Sequence, residues 1–477
     1  MTTIVFIILC FIVWLLPLPF GGNIEWAVFG FELSVWLLFL IYTAIKLFKA
    51  TEPPEVAEKG KVLTRPICCL LGIFFLIGLI QLIPWPKSVV SFLSPTAFSW
   101  WNSLVQNGLF DPAEVAFQSL SLSRWASAYE LVKYLSYGAF VYLLAKYLDS
   151  RKKIIGLTAV LITAGLFQSL YGLSEFFSGS HRIFNWFNRY YAGSAFGTFV
   201  NRDHYSAFLE MIFPLSLGYF LARSGYFALR PGLTWRQKLA RFGQEEFQKS
   251  LLFILPPIII GIGLFFSRCR SGIIIFIVTF FLTLILLSIT SISGKRKTEK
   301  RLVQVAVLLV ILAVVLIGIE PILERFALFK GGFFEEGRFS FYASSLDLIG
   351  DYPILGCGLG TYVQAINPYL QKNFNAIIDH AHNDYLEMLA EAGLLGGGAL
   401  ILAALLAFAL ALRRWLNCRD PLGRGIGLGA SIGVLALLFH SLTDFSLRMP
   451  GNAVTWLSLF VLALKAPLIL EDEEDSR

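Results

Sequence analysis

The chain has 477 residues, of which 56% are hydrophobic and only 15% charged. Soluble domains carry about 25% charged residues, so a water-soluble globule and a disordered chain are both excluded. The net charge of +7 is divided among short loops rather than gathered into a stripe, which argues against nucleic acid.

Taken in chain order, apolar runs long enough to cross a bilayer fall at about 4–19, 27–48, 67–83, 128–148, 154–177, 204–222, 251–266, 272–292, 302–319, 384–411, 425–443 and 453–469. The expectation is an all-α polytopic membrane protein with about twelve transmembrane helices. The first run has no basic flank before it and no small-residue cleavage site after it, so it reads as a retained helix.

Orientation follows from the basic residues. One alternating set of loops and span ends holds Lys46, Lys49, Lys59, Lys61 and Arg65, then Lys146, Arg151, Lys152 and Lys153. It continues with Arg223, Arg230, Arg236, Lys238, Arg241 and Lys249, then Lys295, Arg296, Lys297, Lys300 and Arg301, then Arg413, Arg414, Arg419 and Arg424. These are 24 of the 39 Lys and Arg residues. The opposite set holds half as many, so the first set is predicted to be cytoplasmic, with both termini. Three long loops, about 84–127, 178–203 and 320–383, then face outward. They are rich in Phe, Trp and Tyr and retain arginines. All five histidines, His181, His204, His380, His382 and His440, map to the same side. An aromatic belt with snorkelling arginines explains single residues of this kind; an outward-facing anion site explains the set.

Of six cysteines, only Cys269 and Cys357 fall on the outer side, where pairing is open. Carboxylates at mid-depth are scarce. Glu130 and Lys133, one turn apart near an outer span end, are placed to pair with each other.

Four outer segments carry the residues suited to chemistry. In Asp379-His380-Ala381-His382-Asn383-Asp384-Tyr385-Leu386-Glu387, the Asp384/Glu387 spacing predicts a capping box and a helix start. His382 then precedes a helix N-terminus, where backbone N–H groups favour an anion and a neutral imidazole can act as base. His380, His382, Asp379 and Asp384 as a metal set is the competing reading, though the spacing is not that of a helical zinc site; a simple capping role for His382 is another. In Ser267-Arg268-Cys269-Arg270-Ser271-Gly272, two arginines at a hydrophobic boundary suit a phosphate clamp or headgroup contact. In Asn201-Arg202-Asp203-His204, Arg202 either serves the same anion or pairs with Asp203. The fourth segment runs from Glu335 through Arg338 to Gly360. Residues 338–349 have helical spacing and predict an amphipathic surface helix. The glycines of Pro353-Ile354-Leu355-Gly356-Cys357-Gly358-Leu359-Gly360 predict a turn with close backbone approach, not a dinucleotide fingerprint. After the helix start, Gly393, Gly396, Gly397 and Gly398 would let a neighbouring helix approach.

Together these segments resemble the O-antigen ligase/polymerase superfamily of bacterial membrane glycosyltransferases. The carrying residues are His382-Asn383-Asp384-Tyr385-Leu386 with Glu391-Ala392-Gly393, Arg338 ahead of the Pro353–Gly360 glycine motif, the Ser267–Gly272 turn, and Asn201-Arg202-Asp203-His204. The resemblance covers roughly 196–450, a ligase-like catalytic region with its large loop 320–383. Residues 1–195 contribute N-terminal helices and loops, and 451–477 a last helix and an acidic cytoplasmic tail.

The resemblance implies transfer of a glycan from undecaprenyl pyrophosphate to an acceptor hydroxyl of lipid A-core or a similar molecule. The site would face the periplasm from the bacterial inner membrane. Transfer would be inverting and metal-independent, with no cofactor and no nucleotide sugar. His382 would activate or orient the acceptor, with Arg268, Arg270 and Arg338 at the leaving pyrophosphate. Arg202, His204, Asn383 and His380 would bind pyrophosphate or glycan. Which of Arg268 and Arg270 contacts phosphate stays open, and His380 competes with His382. Ligase and polymerase use the same donor type and are not separated. A lipid-linked oligosaccharide flippase is the alternative from another class; it would require a charged pathway through the membrane.

Overall fold

The computed structural model describes residues 2–48, 63–111, 117–191, 193–224, 252–289, 337–370 and 377–475. The expected span 302–319 and residues 320–336 and 371–376 of the loop 320–383 lie outside them. Helices cover the other eleven expected spans. They are α1 (Thr2–Leu15), α2 (Glu25–Phe48), α3 (Arg65–Leu82), α6 (Arg124–Tyr147), α7 (Arg151–Ser178), α8 (Arg202–Arg223), α9 (Leu255–Phe266), α10 (Arg270–Ile289), α13 (Asp384–Asn417), α14 (Pro421–His440) and α15 (Pro450–Asp475). Eight of these are long and apolar enough to cross a membrane. Shorter helices α4 (Lys87–Leu93), α5 (Pro95–Gln106), α11 (Gly337–Asp351) and α12 (Tyr362–Ala365) lie between them. The only strands among the described residues are two small antiparallel pairs, β1 (Trp85–Pro86) with β2 (Phe117–Gln118) and β3 (Arg182–Ile183) with β4 (Trp186–Phe187). The chain is an all-α polytopic membrane protein.

The centre is α8 packed on α14. Most of α14 is buried although its mean composition is that of a membrane span. Its glycines explain how. A Cβ on Gly425 would sit 2.3 Å from Gly218 O, one on Gly429 2.4 Å from Pro214 O, and one on Gly433 2.2 Å from Met211 O. Glycines four residues apart form one face of a helix, and without side chains that face lets two backbones touch. This seam fixes the relative height of the α8 N-terminus and the α14 C-terminus, which carry His204 and His440.

A second device lies in α13, which is not continuous. Gly393 adopts φ 66°, ψ −178° and breaks the helix after its first nine residues. The glycine-rich loop 353–360 fills the break. Leu394 N donates to Pro353 O at 2.8 Å and Leu395 N to Ile354 O at 3.2 Å. In return Cys357 N donates to Ala390 O at 2.9 Å and Gly358 N to Glu391 O at 3.0 Å. Buried Gln81 of α3 completes the joint, its Nε2 donating to Leu355 O and Glu391 O while its Oε1 accepts from Leu359 N. Backbone groups released by a broken span must find protein partners, and here the loop supplies them. The expected close approach of the loop glycines is therefore to the backbone of α13. Gly356 and Gly393 each lack room for a Cβ, which would meet Glu391 O and Ile354 O respectively at 2.2 Å. Of the glycines that follow, Gly396 meets Ile77 of α3, whereas a Cβ on Gly398 would meet nothing.

A smaller apolar cluster covers this joint. It gathers Val90, Ala97, Leu120, Leu348, Tyr352, Cys357, Tyr362, Ile366 and Ala390, so α4, α5, α11 and the loop pack as a cap over the same end of the bundle. The predicted helix over 338–349 forms as α11. Cys269 and Cys357 do not pair. Both are free and buried, Cys269 beside Ser271 Oγ and Cys357 accepting from Thr361 Oγ1.

Candidate active site

Three elements meet at the cap end: the start of α8, the start of α13 and the segment 441–449 after α14. The start of α13 differs from the predicted capping box. The N-cap is Asn383, whose Oδ1 accepts from Tyr385 N at 3.0 Å and Leu386 N at 3.1 Å. Asp384 is instead buried inside the first turn, accepting from Ser441 Oγ at 2.8 Å and Leu447 N at 3.1 Å. Asparagine at this position satisfies two orphan N–H groups with one oxygen. That leaves Asp384 to staple the 441–449 segment to α13. Asn383 Nδ2 also donates to Leu442 O at 3.0 Å, so both ends of its amide are engaged by the protein.

Residue 382 is thereby locked in an unusual backbone state. His382 has φ +51°, a region that non-glycine residues visit uncommonly. Its carbonyl accepts from Tyr342 Oη of α11 at 3.0 Å. Its ring is partly exposed, stacks near Phe341 and meets Phe445 edge-on. Nδ1 faces Asp444 Oδ1 at 3.4 Å, long for a hydrogen bond but of the kind that tightens when substrate arrives.

Asp444 is the hub. It is fully buried and is approached by three imidazoles, His382 on one oxygen and His204 Nε2 (3.3 Å) and His440 Nε2 (3.9 Å) on the other. Burial by itself would raise its pKa; the facing histidines overcome this and hold it well below the usual carboxylate range. His440 in turn holds Glu210 of α8 through Nδ1, at 3.1 and 3.2 Å. His204 is thus turned inward, packed edge-on against Phe445, rather than presented to solvent.

The arginines lie to one side of this hub. Arg338 of α11 donates from Nη2 to Asp203 Oδ2 at 3.0 Å and from Nη1 to Thr443 O at 3.0 Å. Burial disfavours its charge, but Asp203 and Asp444 outweigh that and raise its pKa further. Arg202 pairs loosely with the other oxygen of Asp203, at 3.8 Å, and lies over the Tyr191 ring. One aspartate therefore joins two guanidinium groups. The Ser267–Gly272 turn adjoins them: Gly272 packs against Ser206 and Glu210, and Cys269 lies within the field of both Asp203 and Arg338. Arg270 opens α10 there. Arg268, held at φ +53°, lies over Phe176, with its guanidinium near Gly193.

His380 goes elsewhere. Its ring stacks on Phe445 with centroids 4.0 Å apart, and Nδ1 pairs with Glu387 at 2.8 Å. Glu387 also accepts from Ala381 N and faces Arg448 Nε at 3.1 Å. The metal set of His380, His382, Asp379 and Asp384 does not converge, since three of the four are directed to Glu387, Asp444 and Ser441.

Reading the sequence alone misses Asp444 and underrates Arg448. The available signal was the His440–Asp444 spacing of four residues at a span exit, which places two titratable groups on one helical face. For Arg448 the signal was a charge in the short segment before an apolar span.

Residues 257–401 match the family described as O-antigen ligase. This match supports membership in the O-antigen ligase/polymerase superfamily. The matched region holds Arg268, Arg270, Arg338, His380, His382 and Asn383, whereas Asp203, His204 and Asp444 lie outside it. No curated protein matches the chain. Members of this superfamily are glycosyltransferase-like enzymes of ligase or polymerase type, and the match together with the apolar helices supports a membrane protein of polysaccharide biosynthesis.

Proposed function

We propose that this superfamily member is an O-antigen ligase-type glycosyltransferase. It moves a glycan from undecaprenyl pyrophosphate to a hydroxyl of lipid A-core or a similar acceptor at the periplasmic face of the inner membrane. The observation that carries the reading is the His382–Asp444 pair beside the Asp203-bridged arginines. With Asp444 ionised, Nδ1 of His382 keeps its proton and Nε2 is left to accept one. The acceptor oxygen attacks the anomeric carbon of the donor glycan, its proton passes to His382 Nε2, and the bond from that carbon to pyrophosphate breaks. Configuration inverts because attack and departure occur on opposite faces.

The leaving pyrophosphate needs cations placed before the reaction begins. Arg338 and Arg202, released in part from Asp203, and Arg270 at the N-terminus of α10 are suited to this; guanidinium groups engage phosphate oxygens bidentately. Arg268, over Phe176, is suited to the lipid-proximal phosphate. Asn383 serves by capping α13 and so aiming His382. His204 serves by sharing Asp444. Neither role depends on direct substrate contact.

The test uses purified protein in nanodiscs with undecaprenyl-pyrophosphate glycan, with and without lipid A-core. Glycan joined to lipid A-core with release of undecaprenyl pyrophosphate is the expected outcome. Longer glycans from the donor alone would make the protein a polymerase instead. His382→Ala should insert and fold normally while transfer falls by about 10²-fold or more; near-normal transfer would remove His382 from the mechanism.

A further inference from the structure

A second polar region lies on the other side of Phe445 from the arginines. It is a cavity of about 310 Å³ between the starts of α2, α6 and α13, the segment 379–380 and residues 448–450. Its wall is a set of alternating charges. Arg448 faces Glu391 at 2.6 Å, Glu387 at 3.1 Å and Glu130 at 3.6 Å. Lys133 pairs with Glu130 at 2.5 Å, as the sequence spacing predicts, and His380 with Glu387 at 2.8 Å. Its mouth is marked by exposed Asn23, Glu25, Tyr129 and Asp379.

Several observations point to a ligand rather than to a structural charge cluster. The paired groups also border open space, and the volume is at the lower end of small-ligand pockets, about 300–1,000 Å³. Oε2 of Glu130, at this wall, faces Arg448 only at 3.6 Å and accepts no hydrogen bond among the described residues. At the mouth, Glu25 and Asp379 form no ion pair with any described residue. Such a lining rejects anions and offers many acceptors with a few donors, the complement of a hydroxyl-rich sugar. The cavity is also one ring away from the proposed base, since Phe445 stacks on His380 and meets His382 edge-on.

We infer that this cavity binds a non-anionic sugar ring of the acceptor glycan, so that donor pyrophosphate and acceptor sugar approach His382 from opposite sides of Phe445. The inference rests on the glycosyltransferase reading above and adds the acceptor's place and charge class to it. Glu130, Glu387 and Glu391 accept from sugar hydroxyls, Lys133 and Arg448 donate to ring or hydroxyl oxygens, and phosphorylated sugars are excluded.

The experiment measures acceptor and donor kinetics for wild type, Glu130→Gln and Val363→Trp in nanodiscs; Val363 lines the cavity and takes no part in the charge network. Both variants should raise the KM for lipid A-core about tenfold, because a site built to bond hydroxyls is sensitive to losing a partner. Donor KM and kcat at saturating acceptor should stay close to wild type. Free core oligosaccharide lacking phosphate should compete with the acceptor, and its phosphorylated counterpart should compete about tenfold less well. An unchanged acceptor KM in Val363→Trp, a raised donor KM, or equal competition by the two oligosaccharides would overturn the inference. Saturation-transfer NMR with the unphosphorylated oligosaccharide reads the cavity without turnover. Binding lost in Val363→Trp supports the site even where no transfer occurs, in which case the ligase reading fails and the cavity stands. Binding equal in wild type and Val363→Trp sinks the cavity whatever the transfer assay gives.

Discussion

At the scale of single residues, Asp444 sets what His382 can do. A carboxylate on Nδ1 selects the tautomer with Nε2 open, and the strained φ of +51° at His382 points the ring into the space beside Phe341 and Phe445. Strain of this kind costs about 1–3 kcal/mol and persists where neighbours over-determine it; the Tyr342 and Asn383 contacts are those neighbours. Asp444→Asn preserves the volume but presents the wrong partner to three imidazoles. Its kcat should fall by about 10²-fold or more with acceptor KM little changed, as measured in the same transfer assay; a normal kcat would mean that His382 works without its carboxylate.

His380 makes a different, pH-dependent contribution. Burial opposes its charge, but the Glu387 carboxylate and its hydrogen bond outweigh burial and lift its pKa above 6.5. A group whose pKa is raised on folding adds stability that is complete below its unfolded value and is lost as pH rises through the folded one. The difference in melting temperature between wild type and His380→Gln should therefore be largest below about pH 6 and shrink as the pH rises above that value. A difference that grows with pH would show that His380 is buried neutral.

At the scale of elements, two backbone approaches hold the site together. The α8–α14 seam brings His204 and Glu210 to His440 and Asp444, and it depends on Gly425, Gly429 and Gly433 having no side chain. Gly429→Val places a branched side chain against Pro214 O and the backbone of Leu215, where no flexible atom can yield. Overpacking of this order costs about 1–3 kcal/mol or more, so the variant should melt several degrees below wild type in detergent and lose transfer. An unchanged melt would mean that the helices can slide apart without consequence. The broken α13 is the second approach. It turns the first nine residues of the helix, with Glu387 and Glu391, away from the line of the span and towards Arg448, and the Pro353–Gly360 loop holds the break open by replacing the missing helical hydrogen bonds.

At the scale of the whole molecule, the charges that a membrane protein can rarely bury are sorted about one aromatic ring. Arg202, Arg268, Arg270 and Arg338 lie on the α8, α10 and α11 side, and Glu130, Glu387 and Glu391 with their three cations on the α2 and α6 side. The membrane class, the positions of the helices and the list of candidate residues were legible in the sequence, because hydropathy and loop charge are local properties that a linear reading sums correctly. The order of Arg338, the glycine motif and His382 was legible for the same reason. Partner choice was not. Asn383 rather than Asp384 caps α13 because the 441–449 segment supplies Ser441 and Leu447 to the aspartate, and that segment is distant in the chain. His204 turns inward and His380 turns away from His382 because Asp444 and Arg448 arrive from the 441–449 segment and Glu387 from α13. By itself the sequence determined the membrane class, the positions of the apolar helices and which side chains were available for chemistry. The tertiary structure alone decided which carboxylate meets which histidine, since a buried charge takes its state from whatever partner packing brings within reach.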